Sequence, residues 1–163
     1  MTRPGTIRRA TPADVPAMVG LVEELAEYEK SRAECTLTPE QLDAALFGPS
    51  PAVFAHVVAD ETGVVGCAIW FLNYSTWTGV HGIYLEDLYV KPETRGKGYG
   101  KALLAALAEE AATKGYSRID WSVLTWNSPA IEFYKSLGAN PQDEWVGYRL
   151  TGAAIDKLAA EAW

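Results

Sequence analysis

Apolar residues fall along this chain in two alternating periods. Val15, Met18, Val22 and Leu25 recur at helical spacing behind Thr11, Pro12 and Asp14, a cap, a first-turn proline and a first-turn acid that predict a helix ending near Tyr28. Thr38-Pro39-Glu40-Gln41 repeats the opening signal for a shorter helix, which Gly48-Pro49 stops. A short strand over 6–9 precedes the first helix. Two apolar runs, 53–59 and 64–71, flank Asp60-Glu61-Thr62-Gly63 and predict an antiparallel hairpin. A third run, 83–90, leads into a glycine-rich stretch and then a helix carrying Leu103, Leu104, Leu107 and Ala111. The pattern next predicts a strand over 119–124. It then predicts a helix capped by Asn127 and stopped by Gly138, a strand near Trp145 to Leu150, and a last helix from about Gly152. The expected fold class is α/β, a single domain spanning 1–163 with a mixed, twisted sheet flanked by helices.

Composition narrows the class of protein. A chain of 163 residues, 48% hydrophobic and 21% charged, is long and apolar enough for one globular core. Cys35 and Cys67 are too few for a disulfide scaffold and, like His56 and His81, lack metal-ligand spacing, so no metal site is expected. Residues 62–85 carry no formal charge, but Asn73, Ser75, Thr76 and Thr78 interrupt them, which fits two strands joined by a polar turn and no membrane span. No secretory signal is visible, and the cytoplasm is the expected compartment.

Charge is segregated. Residues 1–90 hold 5 Lys/Arg against 12 Asp/Glu, whereas 91–118 hold 6 against 3. A local basic patch on an acidic chain suits a small anionic ligand better than a nucleic-acid backbone, which would want a broad positive face, so no nucleic-acid partner is expected. Arg95-Gly96-Lys97-Gly98-Tyr99-Gly100-Lys101 stands between a predicted strand and a predicted helix, where glycines admit a ligand to the backbone and helix amides favour phosphate. The spacing fits neither a nucleotide P-loop nor a dinucleotide fingerprint, which would need glycine where Lys101 stands.

Val90-x-Pro92-x-x-Arg95-x-x-Gly98-x-Gly100 resembles the coenzyme A pyrophosphate loop of the GNAT acetyltransferases. Trp126-Asn127-x-Pro129-Ala130-Ile131-x-Phe133-Tyr134-x-x-x-Gly138-Ala139 is similar to their second expected element. Leu25-Ala26-x-Tyr28-Glu29, Tyr74-x-x-Trp77-x-Gly79 and Tyr84-Leu85-Glu86-Asp87-x-x-Val90 resemble the diamine acetyltransferase branch, which includes the spermidine/spermine and thialysine enzymes. The resemblance implies acetyl-CoA as co-substrate and a homodimer. It implies that the backbone at Leu88, Tyr89 and Val90 pairs with pantetheine, that Arg95 and Gly96, Lys97, Gly98, Tyr99, Gly100 and Lys101 hold the pyrophosphate, and that Asn127 and Tyr134 lie near the thiol. It also implies that Tyr28 and Glu29 face the acceptor.

Amine acetylation gives these positions roles. An alkylammonium of pKa about 10 must lose a proton before its nitrogen can attack, and Glu86 is the expected general base, acting through a water. Tyr134 is expected to protonate the departing thiolate, and a strand N–H near Leu88 to polarise the thioester carbonyl. Trp77 can meet a cation through its ring face or serve as a dimer contact. Glu86 and Asp87, adjacent on a strand, are expected on opposite faces and so not as a carboxylate pair. Polyamine-type members carry an acid just before the Gly-aromatic pair matching Gly147-Tyr148, and this chain has Val146 there. The expected acceptor is therefore a short diamine, thialysine or a related basic amino acid. The alternatives are acetylation of a protein lysine or N-terminus, and a non-catalytic acyl-CoA sensor.

Overall fold

A computed structural model describes residues 5–163, which divide along the chain into two compact units, one up to Leu124 and one from Thr125. The first unit holds a five-stranded sheet in sequential order, β1 (Thr6–Arg9), β2 (Phe54–Asp60), β3 (Gly63–Ser75), β4 (Val80–Val90) and β5 (Ile119–Asp120). Every pairing is antiparallel except β4 with β5, so the sheet is mixed, as expected.

Helix α1 (Val15–Tyr28) follows a 3-10 turn at Pro12–Asp14, and α2 (Pro39–Phe47) starts at Thr38. At that start the Thr38 hydroxyl accepts from the Gln41 N–H at 3.2 Å, and the Gln41 side chain accepts from the Thr38 N–H at 3.0 Å. This reciprocal cap satisfies two orphan donors. Val15, Met18, Val19 and Leu21 of α1 and Leu42 and Leu46 of α2 bury one sheet face with Val57, Cys67, Ile69 and Tyr89. Helix α3 (Tyr99–Lys114) buries Leu103, Leu104, Leu107 and Ala111 and packs on β1 to β5. Strand alternation puts Ala68, Trp70 and Leu85 on the sheet face opposite Cys67 and Ile69.

Asp14 locks β1 to the start of α1. Its carboxylate accepts from both guanidinium nitrogens of Arg8, at 2.6 and 3.0 Å, and from the Thr11 N–H at 2.8 Å. The Arg8 bonds hold its pKa down to about 2.

The second unit contains α4 (Ser128–Ser136) and α5 (Ala153–Ala159). Two expectations need correction. The strand expected over 119–124 ends at Asp120, and the one expected near Trp145 to Leu150 does not form: those residues are exposed and lie in no strand. Their alternation favours extended backbone, but a strand exists only where a neighbour pairs with it. No helix among the described residues is long and apolar enough to cross a membrane.

Candidate active site

The centre of the site is a defect in the β3–β4 ladder. Ile69 stands opposite Asp87 while its neighbour Trp70 stands opposite Leu85, so β4 carries one extra residue, Glu86. The bulge interrupts the alternation of faces. Leu85 lies across from Trp70 on the α3 side, and Asp87 lies across from Ile69 on the α1 side, two residues later. The strict opposite-face argument for Glu86 and Asp87 therefore fails, because it assumed an unbroken strand. Glu86 is exposed and Asp87 half-buried. Burial, then the charges of Glu86 and Glu29, push Asp87 up to about 6. Burial also raises Glu29, the residue that ends α1. The sequence gives Asp87 no role of its own, although it stands beside Glu86 within the motif Tyr84-Leu85-Glu86-Asp87-x-x-Val90.

The bulge also sets which backbone groups face outward. Lys91 N–H donates to Val65 C=O at 2.8 Å, which makes Val65 and Lys91 a hydrogen-bonded pair. Stepping back along the ladder by twos, Tyr89 and Asp87 turn their N–H and C=O toward β3, and Leu88 and Val90 turn theirs to the other edge. On that edge β5 pairs with β4 only at Ile83 and Tyr84. The Leu88 and Val90 backbone thus presents a strand edge, whereas Tyr89 spends its backbone on Cys67. Its hydroxyl donates to Glu24 at 3.4 Å.

The glycine loop begins where this edge ends. Thr94 is buried, and its hydroxyl donates to Lys91 C=O at 2.9 Å. Arg95 folds back: its Nε donates to Val90 C=O at 3.2 Å, and its guanidinium lies 5.7 Å from the Tyr89 ring centre and 6.0 Å from that of Tyr28. Gly96 and Gly98 have φ of 84° and 80°, a left-handed conformation that favours glycine, and Gly98 caps α3. A Cβ on Gly96, Gly98 or Gly100 would meet no atom within 4 Å, so the loop backbone is open to a ligand. The first-turn amides of α3 have no intrahelical acceptor and point toward that opening. Lys97 and Lys101 are exposed beside it. Tyr99 differs from its neighbours, since its side chain is buried against Gly5 and only its backbone can serve a ligand at the loop.

Trp77 sits at the tip of the β3–β4 hairpin, 91% exposed, beyond the Gly79 N–H to Ser75 C=O closure of 2.8 Å. Glu86 lies six residue steps along β4 from Val80, about 20 Å, so Trp77 does not line the bulge of its own chain.

Asn127 and Tyr134 belong to the second unit. Asn127 caps α4, its side-chain oxygen accepting from the Ala130 N–H at 3.4 Å. The Tyr134 ring packs on Phe133 at 5.6 Å, and its C=O accepts from the Leu137 and Ala139 N–H groups around Gly138, φ 89°.

Comparison with known proteins gives these features relatives. Residues 19–139 match the acetyltransferase (GNAT) family. The chain is 39% identical to the thialysine N-epsilon-acetyltransferase of Sus scrofa, over 95% of this chain and 97% of that one. It is 30% identical to the L-ornithine N5-acetyltransferase of Arabidopsis thaliana, over 93% and 88%. An integron cassette protein from the mobile metagenome of V. cholerae superposes with a TM-score of 0.80 at 28% identity, over 97% and 99% of the two chains.

Proposed function

Since the chain belongs to the GNAT acetyltransferase family, we propose that it transfers the acetyl group of acetyl-CoA directly to the primary amine of a short, basic acceptor such as thialysine, ornithine or a small diamine. The observation that carries this reading is the continuity of two ligand-ready surfaces. The outward Leu88–Val90 edge runs into the open Gly96–Lys101 loop, and the acidic bulge at Glu86 and Asp87 lies at the start of that edge.

A pantetheine arm carries amides that match an exposed strand edge, and a pyrophosphate matches helix amides flanked by Lys97 and Lys101. The residues present therefore fit the coenzyme, which supplies an activated thioester. The chain's own groups do the rest. Leu88 N–H faces the edge along which the thioester would lie and can donate to its carbonyl oxygen. Arg95 holds the loop against Val90 and ties it to Tyr28 at the end of α1. Glu29, Glu86 and Asp87 form a negative field suited to an ammonium group. The resemblance of the 126–139 motif supports Tyr134 as proton donor to the leaving sulfur and Asn127 as a cofactor-binding residue, and Glu86 is the exposed carboxylate through which a water can reach the amine.

The acceptor is a compact cation. Both named relatives act on basic amino acids, and Val146 offers no charge for the far end of a polyamine. Trp145, Val146 and Tyr148 of the second unit, at 73%, 76% and 96% exposure, supply apolar surface that a second copy would cover, which supports a homodimer. Cys35 and Cys67 are free thiols, in keeping with a reducing cytoplasm.

The test is mass-spectrometric detection of acetylated product from acetyl-CoA and a panel of thialysine, ornithine, 1,3-diaminopropane, spermidine and a lysine peptide. Product from the short acceptors in preference to spermidine supports the reading. Product from the peptide alone overturns it in favour of a protein acceptor.

A further inference from the structure

We propose that the cavity between β1 and α3 is a second ligand site, separate from the acetyl-transfer site, which takes a small monocarboxylate with a short apolar body. The proposal stands independently of the acetyl-transfer reading.

The cavity holds about 630 Å³ and opens between the edge strand β1 and the flank of α3. That volume suits a small organic molecule and exceeds what a lone ion fills. None of its lining residues belongs to the bulge, to the Leu88–Val90 edge or to the glycine loop. The ladder explains its floor. His56 stands opposite Arg9 on β1 and opposite Ala68 on β3, so Arg9 and His56 lie side by side on the α3 face of the sheet.

His56 is 6% exposed and lines the cavity. The Trp70 indole N–H donates to its Nδ1 at 3.2 Å, and because an indole only donates, Nδ1 carries no proton. Burial, then the charge of Arg9, lowers the His56 pKa, so the ring is neutral and its one proton sits on Nε2. That Nε2–H lies across the ring from Trp70 and has no hydrogen-bond partner among the described residues. A buried donor without an acceptor is costly, and a ligand oxygen removes the cost.

Arg9 supplies the charge. Its guanidinium lies 4.9 Å from the Trp70 ring centre and 5.7 Å from that of Phe54, which holds it against the cavity wall. Glu110 bridges it to Lys114, with one carboxylate oxygen 2.8 Å from Arg9 and the other 3.2 Å from Lys114. One carboxylate thus serves two cations, and both cations keep further N–H donors. Glu109 is exposed at the rim, and Arg8 is committed to Asp14. The floor therefore presents donors to a ligand, and a planar guanidinium matches a carboxylate with two parallel hydrogen bonds. Ile7 on one side and Ala102, Ala105 and Ala106 on the other add hydrocarbon wall, which selects an apolar body over a bare phosphate or sulfate.

The test follows the two histidine rings by proton–nitrogen NMR at pH 7.5 while the full chain is titrated with sodium hexanoate at constant ionic strength. His81 is exposed, lies outside the cavity and serves as the internal control. The expected result is a saturable shift of the His56 Nε2 signal with His81 unmoved. Shortening the probe from hexanoate to acetate weakens binding by about fourfold per buried methylene. Arg9→Gln weakens hexanoate by about 10- to 100-fold. Ala106→Leu keeps a good helix former, narrows the cavity and weakens hexanoate more than acetate. Circular dichroism checks folding, and if Arg9→Gln is misfolded the chain-length series and Ala106→Leu decide. A His56 signal that does not move, or that moves equally with sodium chloride, overturns the proposal. Equal binding of hexanamide or hexylammonium overturns the carboxylate assignment, and a shift that survives unchanged in folded Arg9→Gln and Ala106→Leu places the ligand elsewhere and overturns the site. Each of these outcomes leaves the acetyl-transfer reading untouched, because none is read through turnover.

Discussion

Ile69 of β3 faces Asp87 of β4, and the next residue along, Trp70, faces Leu85. This one-residue slip brings a carboxylate against the inner side of the sheet near the end of α1, where an ordinary strand would alternate past it. The placement costs stability, because the folded chain holds Asp87 near 6 against an ordinary carboxylate value of 3.8.

Asp87→Asn is therefore expected to raise stability at neutral pH. A folded-state pKa above the unfolded one is a stabilising contribution present below about pH 4 and lost as pH rises through about 6. At pH 7.5 the variant should gain on the order of 1–3 kcal/mol in urea unfolding, and at pH 4 the gain should shrink toward zero. A variant less stable than the wild type at pH 7.5 would show that Asp87 is not held under strain.

Asp14 behaves in the opposite sense. Arg8 holds its folded pKa near 2, below the ordinary 3.8, so its contribution is present above about pH 4 and lost as pH falls through about 2. Asp14→Asn should cost about 2 kcal/mol at pH 7, measured by chemical denaturation, and the difference should vanish near pH 2.

Two glycines of the loop separate backbone strain from ligand access. At Gly98, φ 80°, alanine adopts a left-handed conformation that costs about 1–2 kcal/mol, so Gly98→Ala should lower the melting temperature and raise KM for acetyl-CoA. Gly100 lies inside α3 with open space around its Cβ position. Gly100→Ala should leave stability unchanged or raise it by about 0.5 kcal/mol, and still raise KM for acetyl-CoA by crowding the loop. Equal KM values for Gly100→Ala and wild type would place the pyrophosphate elsewhere.

Tyr134→Phe removes one hydroxyl and keeps the ring that packs on Phe133. The expected result is a kcat reduced about 10²-fold with acetyl-CoA affinity by calorimetry within twofold of wild type. An unchanged kcat would remove Tyr134 from the proton path.

Much of this molecule is local chemistry and is written in the sequence. The Thr38–Gln41 cap, the left-handed Gly96, Gly98 and Gly138, the hairpin around Asp60-Glu61-Thr62-Gly63 and the α1 stripe each depend on a few neighbouring residues. The motif at 90–101 carried the family in the same way, since its glycine spacing is a property of consecutive positions. Pairing is different, because it is fixed only when distant segments meet. Alternation in Trp145 to Leu150 predicts an extended segment but holds no information about a neighbour, and no strand forms there. Likewise nothing in Leu85-Glu86-Asp87 signals a bulge, because an extra residue is defined against β3, twelve or more positions away. The sequence determined which groups the site contains. The ladder decided that Asp87, rather than Glu86, is turned inward and desolvated, because burial and register arise only when distant segments meet.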